Sequence, residues 1–261
     1  MRHWSGALPA VTMIDALDHL TLRVESVDAA TAAYETLLGR RANDGRLQLG
    51  NAGLVFEHGD AAPGLAAMTF ATPALDKATQ LLERRAIAIE KADQLLVLSL
   101  DATQQVPIRL IERTENPNAP SPLAIEDEAA SITALDHVVI RTPNPERAVA
   151  LYAGRLGLDL RLDRSNPKWG ARLLFFRCGD LVVEISHDLD KGVSDGPDRL
   201  WGLAWRVPDI GRAHARMKSD GIDVSGLRDG RRPGSQVFTV RSHTEGVPTL
   251  VIGGIGRWET Q

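Results

Sequence analysis

His137 and Glu184 are the residues whose types and spacing best support chemistry. His137 opens the β-branched run His137-Val-Val-Ile-Arg141, and Glu184 lies in the apolar run Asp180–Ser186. Side chains alternate across a strand. His137, Val139 and Arg141 therefore share one face, as do Asp180, Val182, Glu184 and Ser186. The opposite faces, Val138/Ile140 and Leu181/Val183/Ile185, are wholly apolar and should pack on helices. An imidazole, a guanidinium and a carboxylate on one face form an acid–base set. A glutamate raised in pKa by burial is a natural proton acceptor.

Rings and further cations cluster in the same half of the chain. Trp169, Phe176, Trp201 and Phe238 offer flat apolar area for an organic ligand, while Trp205 falls on the helix side by parity. Arg206, Arg232 and Arg241 join Arg141 as candidate partners for a carboxylate or enolate oxygen, and His243 is a further candidate contact. Cys178 reads as a small buried hydrophobe, with no histidine paired to it by spacing.

The elements that must position these residues come as a repeat. Residues 14–23 (IDALDHLTLR) and 132–141 (ITALDHVVIR) agree at six of ten positions at an offset of 118, and Tyr34/Tyr152, Leu38/Leu156 and Gly39/Gly157 keep that register. This marks a duplicated domain. A proline-rich stretch, Asn116-Pro-Asn-Ala-Pro-Ser-Pro122, separates the copies. The expected organisation is an extension over 1–13, a first domain over 14–112, a linker over 113–131 and a second domain over 132–256. Asn144-Pro145 caps a helix that Gly157 ends, with strands near 158–162, 171–177 and 180–186. The order then restarts with a strand at 203–207, a helix through Met217, and strands near 222–224, 236–241 and 248–252. In the first half the same order runs through strand 19–24, helix 28–38 and strands 46–49 and 53–57. It repeats through strand 66–70, helix 73–84 and strands 87–89, 95–100 and 107–112. The second half is two β-α-β-β-β units and the first half follows suit, an α+β fold.

Four such units, paired two and two, with Leu17-Asp18-His19 and Leu135-Asp136-His137 leading strands and a Tyr-x-x-x-Leu-Gly helix end, resemble the vicinal oxygen chelate superfamily. That group holds glyoxalases, bleomycin resistance proteins and extradiol dioxygenases. The resemblance implies two tandem glyoxalase-like domains, each a cupped mixed sheet with outer helices. It also implies a divalent metal (Fe, Mn, Zn or Ni) on the cup floor, held by His, Gln or Glu on the first and last strand of each unit. Here His137 and Glu184 fill two such positions, while Gly202 and Leu250 occupy the other two. His187 or His243 could complete the set. The first domain offers His19, Arg23 and Glu57, with Ala67 and Arg109 at its remaining positions. A catalytic divalent site typically has three protein ligands, so a metal-free cup is also open.

The composition narrows the classes. The 261 residues are 43% hydrophobic with a net charge of −4, which supplies a full core and no basic surplus for nucleic acid. No apolar run reaches the ~20 residues of a membrane helix. A single cysteine points to a reducing, cytoplasmic setting. Of twelve rings, eight follow the linker, so the second cup is the expected working site. The reading is an enzyme of lyase, isomerase or dioxygenase type acting on a small oxygen-bearing molecule. Its rival is a metal-free binding protein like the bleomycin resistance members, and a third alternative is an interaction module with closed cups. A homodimer is compatible with each.

Overall fold

A computed structural model of the chain describes residues 13–113 and 127–254. The first-dozen extension with Trp4, the proline-rich stretch and the last residues lie outside the described residues.

The first sheet is built from β1 (Ala16–Val24), β2 (Arg46–Gln48), β3 (Gly53–His58), β4 (Gly64–Thr72), β5 (Ile89–Ala92), β6 (Leu95–Leu98) and β7 (Ile108–Glu112), in the order β2-β3-β1-β4-β7-β6-β5. The second comprises β8 (Ala134–Arg141), β9 (Asp159–Asn166), β10 (Ala171–Cys178), β11 (Leu181–Asp188), β12 (Arg199–Arg206), β13 (Arg228–Asp229), β14 (Gln236–Val240) and β15 (Thr249–Gly253), in the order β13-β14-β15-β12-β8-β11-β10-β9. Each sheet joins two units through one antiparallel central pair, β1 with β4 and β8 with β12. Within a unit the first and last strands run parallel, as β8 with β11 and β12 with β15. The helices are α1 (Val27–Leu38), α2 (Leu75–Arg84), α3 (Pro145–Val149) and α4 (Ile210–Ser219). This is the tandem glyoxalase-like α+β architecture.

The helices start where the sequence supplies caps. Ser26, Asn144 and Asp209 each accept a backbone N–H from the first turn, and Pro145 follows Asn144 at a position with no donor to lose. Beyond Val149 the chain continues as a widened turn over 150–155, in which Leu156 N–H reaches the Leu151 carbonyl. The expected strand at 222–224 is reduced to a single bridge between Val224 and Val240. Ser225 takes over there, because its Oγ accepts the Thr239 N–H and its own N–H reaches the Thr239 carbonyl.

The second sheet curls until its edges approach each other. β13 and β9 are its two outermost strands, yet Arg231, in the loop after β13, lies 4.4 Å from the ring of Trp169, in the turn after β9. This closure turns the polar face inward as a cup. The halves also brace one another. The Tyr34 hydroxyl donates to the Thr244 carbonyl, and Arg216 caps the end of α1 through the Thr36 and Leu37 carbonyls.

Candidate functional site

The repeated Leu-Asp-His motif is a β-bulge. In the second sheet Ala204 pairs with His137 while Trp205 pairs with Leu135, so Asp136 is the extra residue. In the first sheet Asp18 is skipped in the same way, between Leu17 and His19. A bulge re-aims side chains. Here it sets a carboxylate beside its neighbouring imidazole, with Asp136 Oδ2 2.8 Å from His137 Nδ1 and Asp18 Oδ2 2.6 Å from His19 Nδ1.

The two halves then diverge. His137 Nε2 faces Glu184 Oε2 at 3.5 Å, and both side chains are largely buried. Register explains the difference in the first half. His137 pairs with Val182, two residues before Glu184, whereas His19 pairs with Gly53, which puts Val55 at the matching place. Glu57 falls one step further along, opposite Arg23, and its carboxylate lies 3.7 Å from that guanidinium. The expected likeness of Glu57 to Glu184 is thus corrected by one strand repeat. In the first cup Arg46 donates to Asp18 Oδ2 at 2.9 Å and to the Asp18 carbonyl at 2.7 Å. Burial alone would raise the Asp18 carboxyl, but the His19 and Arg46 hydrogen bonds prevail and hold it down at about 2.

Charge in the second cup is set by its carboxylates. Burial opposes charging His137, but the Asp136 hydrogen bond and the negative charges of Glu184 and Asp136 outweigh it, and Arg231 opposes them only in part. His137 therefore titrates above an ordinary imidazole. Asp136 is in turn backed by Arg206, whose Nε lies 3.9 Å from Asp136 Oδ1 and which donates to Asp180 Oδ2 at 2.7 Å and the Asp180 carbonyl at 2.9 Å.

This upward shift has a consequence for stability. A group whose pKa is raised on folding stabilises fully below its unfolded value of about 6.5, and that contribution is lost as pH rises through the folded value. Urea unfolding at pH 6 and pH 8 should show the wild type losing stability relative to His137→Gln as pH rises. A constant difference between the two proteins would contradict the Asp136–His137–Glu184 arrangement.

Several expected ligand contacts are corrected. Phe176 and Phe238 are fully buried on the helix side, against Tyr152 at 5.6 Å and His214 at 5.1 Å. Strand alternation puts Phe175, not Phe176, on the cup face, in register with Glu184. Arg206 is buried and committed to Asp180 and Asp136, so it supports the site rather than meeting a ligand. Arg241 is exposed and paired with Asp223. His243 sits in the loop beside Thr244 at the seam of the halves, its Nδ1 3.0 Å from Ser242 Oγ. His187 has the opposite parity to Glu184 and is buried, its Nδ1 3.1 Å from the Thr142 carbonyl. Burial pushes the Cys178 thiol well up, which suits a core residue rather than a nucleophile.

The remaining candidates stand at the rim. Trp201 is the bulged residue of β12 and lies under Arg141 at 4.0 Å. Trp169 lies under Arg231. The carbonyl of Arg232 closes the loop by accepting the Ser235 N–H and Oγ–H. Sequence reasoning passed over Asp136, Phe175 and Arg231. The Gly179-Asp180 hairpin would have given Phe175, since its two-residue turn fixes the pairing back to Glu184.

The donors present do not fit a divalent centre. No group of three His, Cys, Asp or Glu that could hold a metal occurs among the described residues. Gly202 is closed to replacement, because a Cβ there would meet the Pro248 carbonyl oxygen at 2.7 Å. Leu250 brings an apolar side chain to the fourth position. His137 and Glu184 alone fall short of the three ligands typical of a catalytic site.

Residues 136–239 match the family model described as Glyoxalase/Bleomycin resistance protein/Dioxygenase superfamily. This segment of the second half thus carries that superfamily's sequence pattern. An ethylmalonyl-CoA/methylmalonyl-CoA epimerase of Cereibacter sphaeroides is 28% identical over 102 residues, spanning 36% of this chain and 76% of its own. A solved catechol 2,3-dioxygenase is 19% identical and superposes with a TM-score of 0.70, covering 95% of this chain and 96% of that one. The Mn(II)-bound glyoxalase from Novosphingobium aromaticivorans is 14% identical, with a TM-score of 0.69 over 94% of this chain and 84% of that one. The two solved structures share their tandem fold with nearly the whole chain. Among the described residues no helix is long and apolar enough to cross a membrane.

Proposed function

We propose that the second cup is an active site for proton transfer at a carbon next to a carbonyl group of a small oxygen-bearing molecule. The observation that carries this reading is the 3.5 Å approach of His137 Nε2 to Glu184 Oε2, with Asp136 fixing the other ring nitrogen. Glu184 removes the proton as base, and the C–H electron pair moves into the enolate. His137, kept protonated by Asp136, donates to the oxygen on which the charge collects. Return of the proton from Glu184 restores the carbon acid. No step is drawn through a metal, because the donor set does not fit one.

The epimerase relative suggests an acyl thioester as the first substrate to try. Incubated with methylmalonyl-CoA in D2O, the chain should accelerate deuterium uptake at the carbon between the carbonyl groups, read by mass spectrometry. A rate equal to that of buffer, for this and for a panel of related thioesters and 2-oxo acids, would contradict the reading. A single buried cysteine supports a cytoplasmic location.

The rim rings favour one second reading, a binding protein that holds its ligand unchanged. Trp169 and Trp201 are 43% and 38% exposed, so ring surface beyond that covered by Arg231 and Arg141 is open to a ligand. Saturable ligand binding without deuterium uptake would select it.

A further inference from the structure

One line across the second sheet is basic. The register sets Arg164 opposite Leu173, Leu173 opposite Ser186, Ser186 opposite Arg141, and Arg141 opposite Arg199. Partners in register share a face, and Ser186 shares its face with Glu184. Three arginines thus lie in one row on the cup face, one strand repeat beyond Glu184. Like charges placed directly opposite destabilise a sheet. Three arginines elsewhere in this half do have carboxylates, Arg147 with Asp198, Arg172 with Asp163 and Arg206 with Asp180. Among the described residues no carboxylate forms an ion pair with Arg141, Arg164, Arg199 or Arg231. Two of these four guanidinium groups lie on the rim rings, Arg141 at 4.0 Å from Trp201 and Arg231 at 4.4 Å from Trp169, and Arg164 approaches the Trp169 ring at 5.8 Å.

We propose that this row is an anion subsite, in which Arg141 and Arg199 grip a carboxylate or phosphate group of the ligand while Arg164 and Arg231 close over it from the Trp169 side. Guanidinium forks match either oxyanion. The location of the reacting end rests on the proton-transfer reading, whereas the subsite itself is independent of it. Ser186 is two residues beyond Glu184 and Arg141 four beyond His137. At ~3.3 Å per residue the anionic group sits roughly 7–13 Å from the reacting carbon. The substrate class is then a small acid or phosphoester whose charge is remote from its carbon acid.

The test is a titration of the full chain with glutarate, and separately with inorganic phosphate, at constant ionic strength. It is followed by tryptophan fluorescence, since Trp201 and Trp169 stack on the arginines concerned. Saturation by glutarate assigns a carboxylate, saturation by phosphate assigns a phosphate, and either supports the subsite. Arg141→Gln and Arg199→Gln should each weaken binding by about tenfold to a hundredfold, the value of ionic hydrogen bonds. Arg199→Gln relieves a repulsion and gives up no ring contact, so without anion it should melt no lower than wild type. Arg161→Gln, on the same strand as Arg164 but paired with Asp159, should bind within about twofold of wild type. Absence of saturation with both anions would overturn the proposal, as would equal weakening by Arg161→Gln. If anion binding saturates but no thioester exchanges deuterium, the proton-transfer reading fails and the subsite stands.

Discussion

Arg206→Ala should unfold far more easily than any other single arginine variant of the second sheet. The side chain is 7% exposed and its charge is enclosed by Asp180 at 2.7 Å and Asp136 at 3.9 Å. Removing one partner of a buried ion pair leaves the other charge without compensation and costs about 3–5 kcal/mol. Asp136 is the more serious loss, because it is 2% exposed and its Oδ1 has no hydrogen bond among the described residues. For a chain of this size the melting temperature should fall by roughly 10 °C. Arg241→Ala is the contrast, since its pair with Asp223 is exposed on both sides and is worth well under about 1 kcal/mol. Thermal and urea unfolding of the two variants separate the cases. Equal losses would mean that Arg206 does not hold the bulge. Arg206→Ala should also disturb the contact between halves, because Asn51 donates from the first half to the Asp180 and Leu135 carbonyls.

Glu184→Gln should lower the rate of deuterium uptake by about 10²–10⁴-fold, the usual contribution of a positioned general base. The amide keeps the size and shape of the carboxylate but accepts no proton at neutral pH. Substrate binding should change little, because the anionic end is held one strand repeat away. Stopped-time mass spectrometry for the rate, with fluorescence titration for binding, reads the two effects separately. A variant that exchanges deuterium as fast as wild type would remove Glu184 from the chemistry.

The repeat and the order of strands and helices were legible in sequence, because the six shared residues of the two openings and the caps at Asn144 and Asp209 are local signals. His137 and Glu184 were legible through strand alternation. The Asp136–His137 bond was not, because a bulge exists only relative to its partner strand, and β12 arrives about sixty residues later in the chain. Phe175 is hidden from any reading that does not carry the hairpin register back from Gly179-Asp180 to Glu184. Glu57 was matched to Glu184 because each lies near the end of a closing strand, yet the chain between opening and closing strands differs in length between the halves. Arg231 was invisible for a different reason, since its meeting with Trp169 depends on how far an eight-stranded sheet curls. Short-range patterns thus placed the strands, while long-range register and curvature decided which side chains share the cup.

The most direct measurement of the central claim, that the second cup alone carries the chemistry, is thioester deuterium uptake in His137→Gln beside His19→Gln. Both variants remove an imidazole held by its preceding aspartate, so they differ only in the cup they alter. The account predicts a loss of at least about 10²-fold for His137→Gln and a rate within about twofold of wild type for His19→Gln. Equal losses, or a loss confined to His19→Gln, would contradict it.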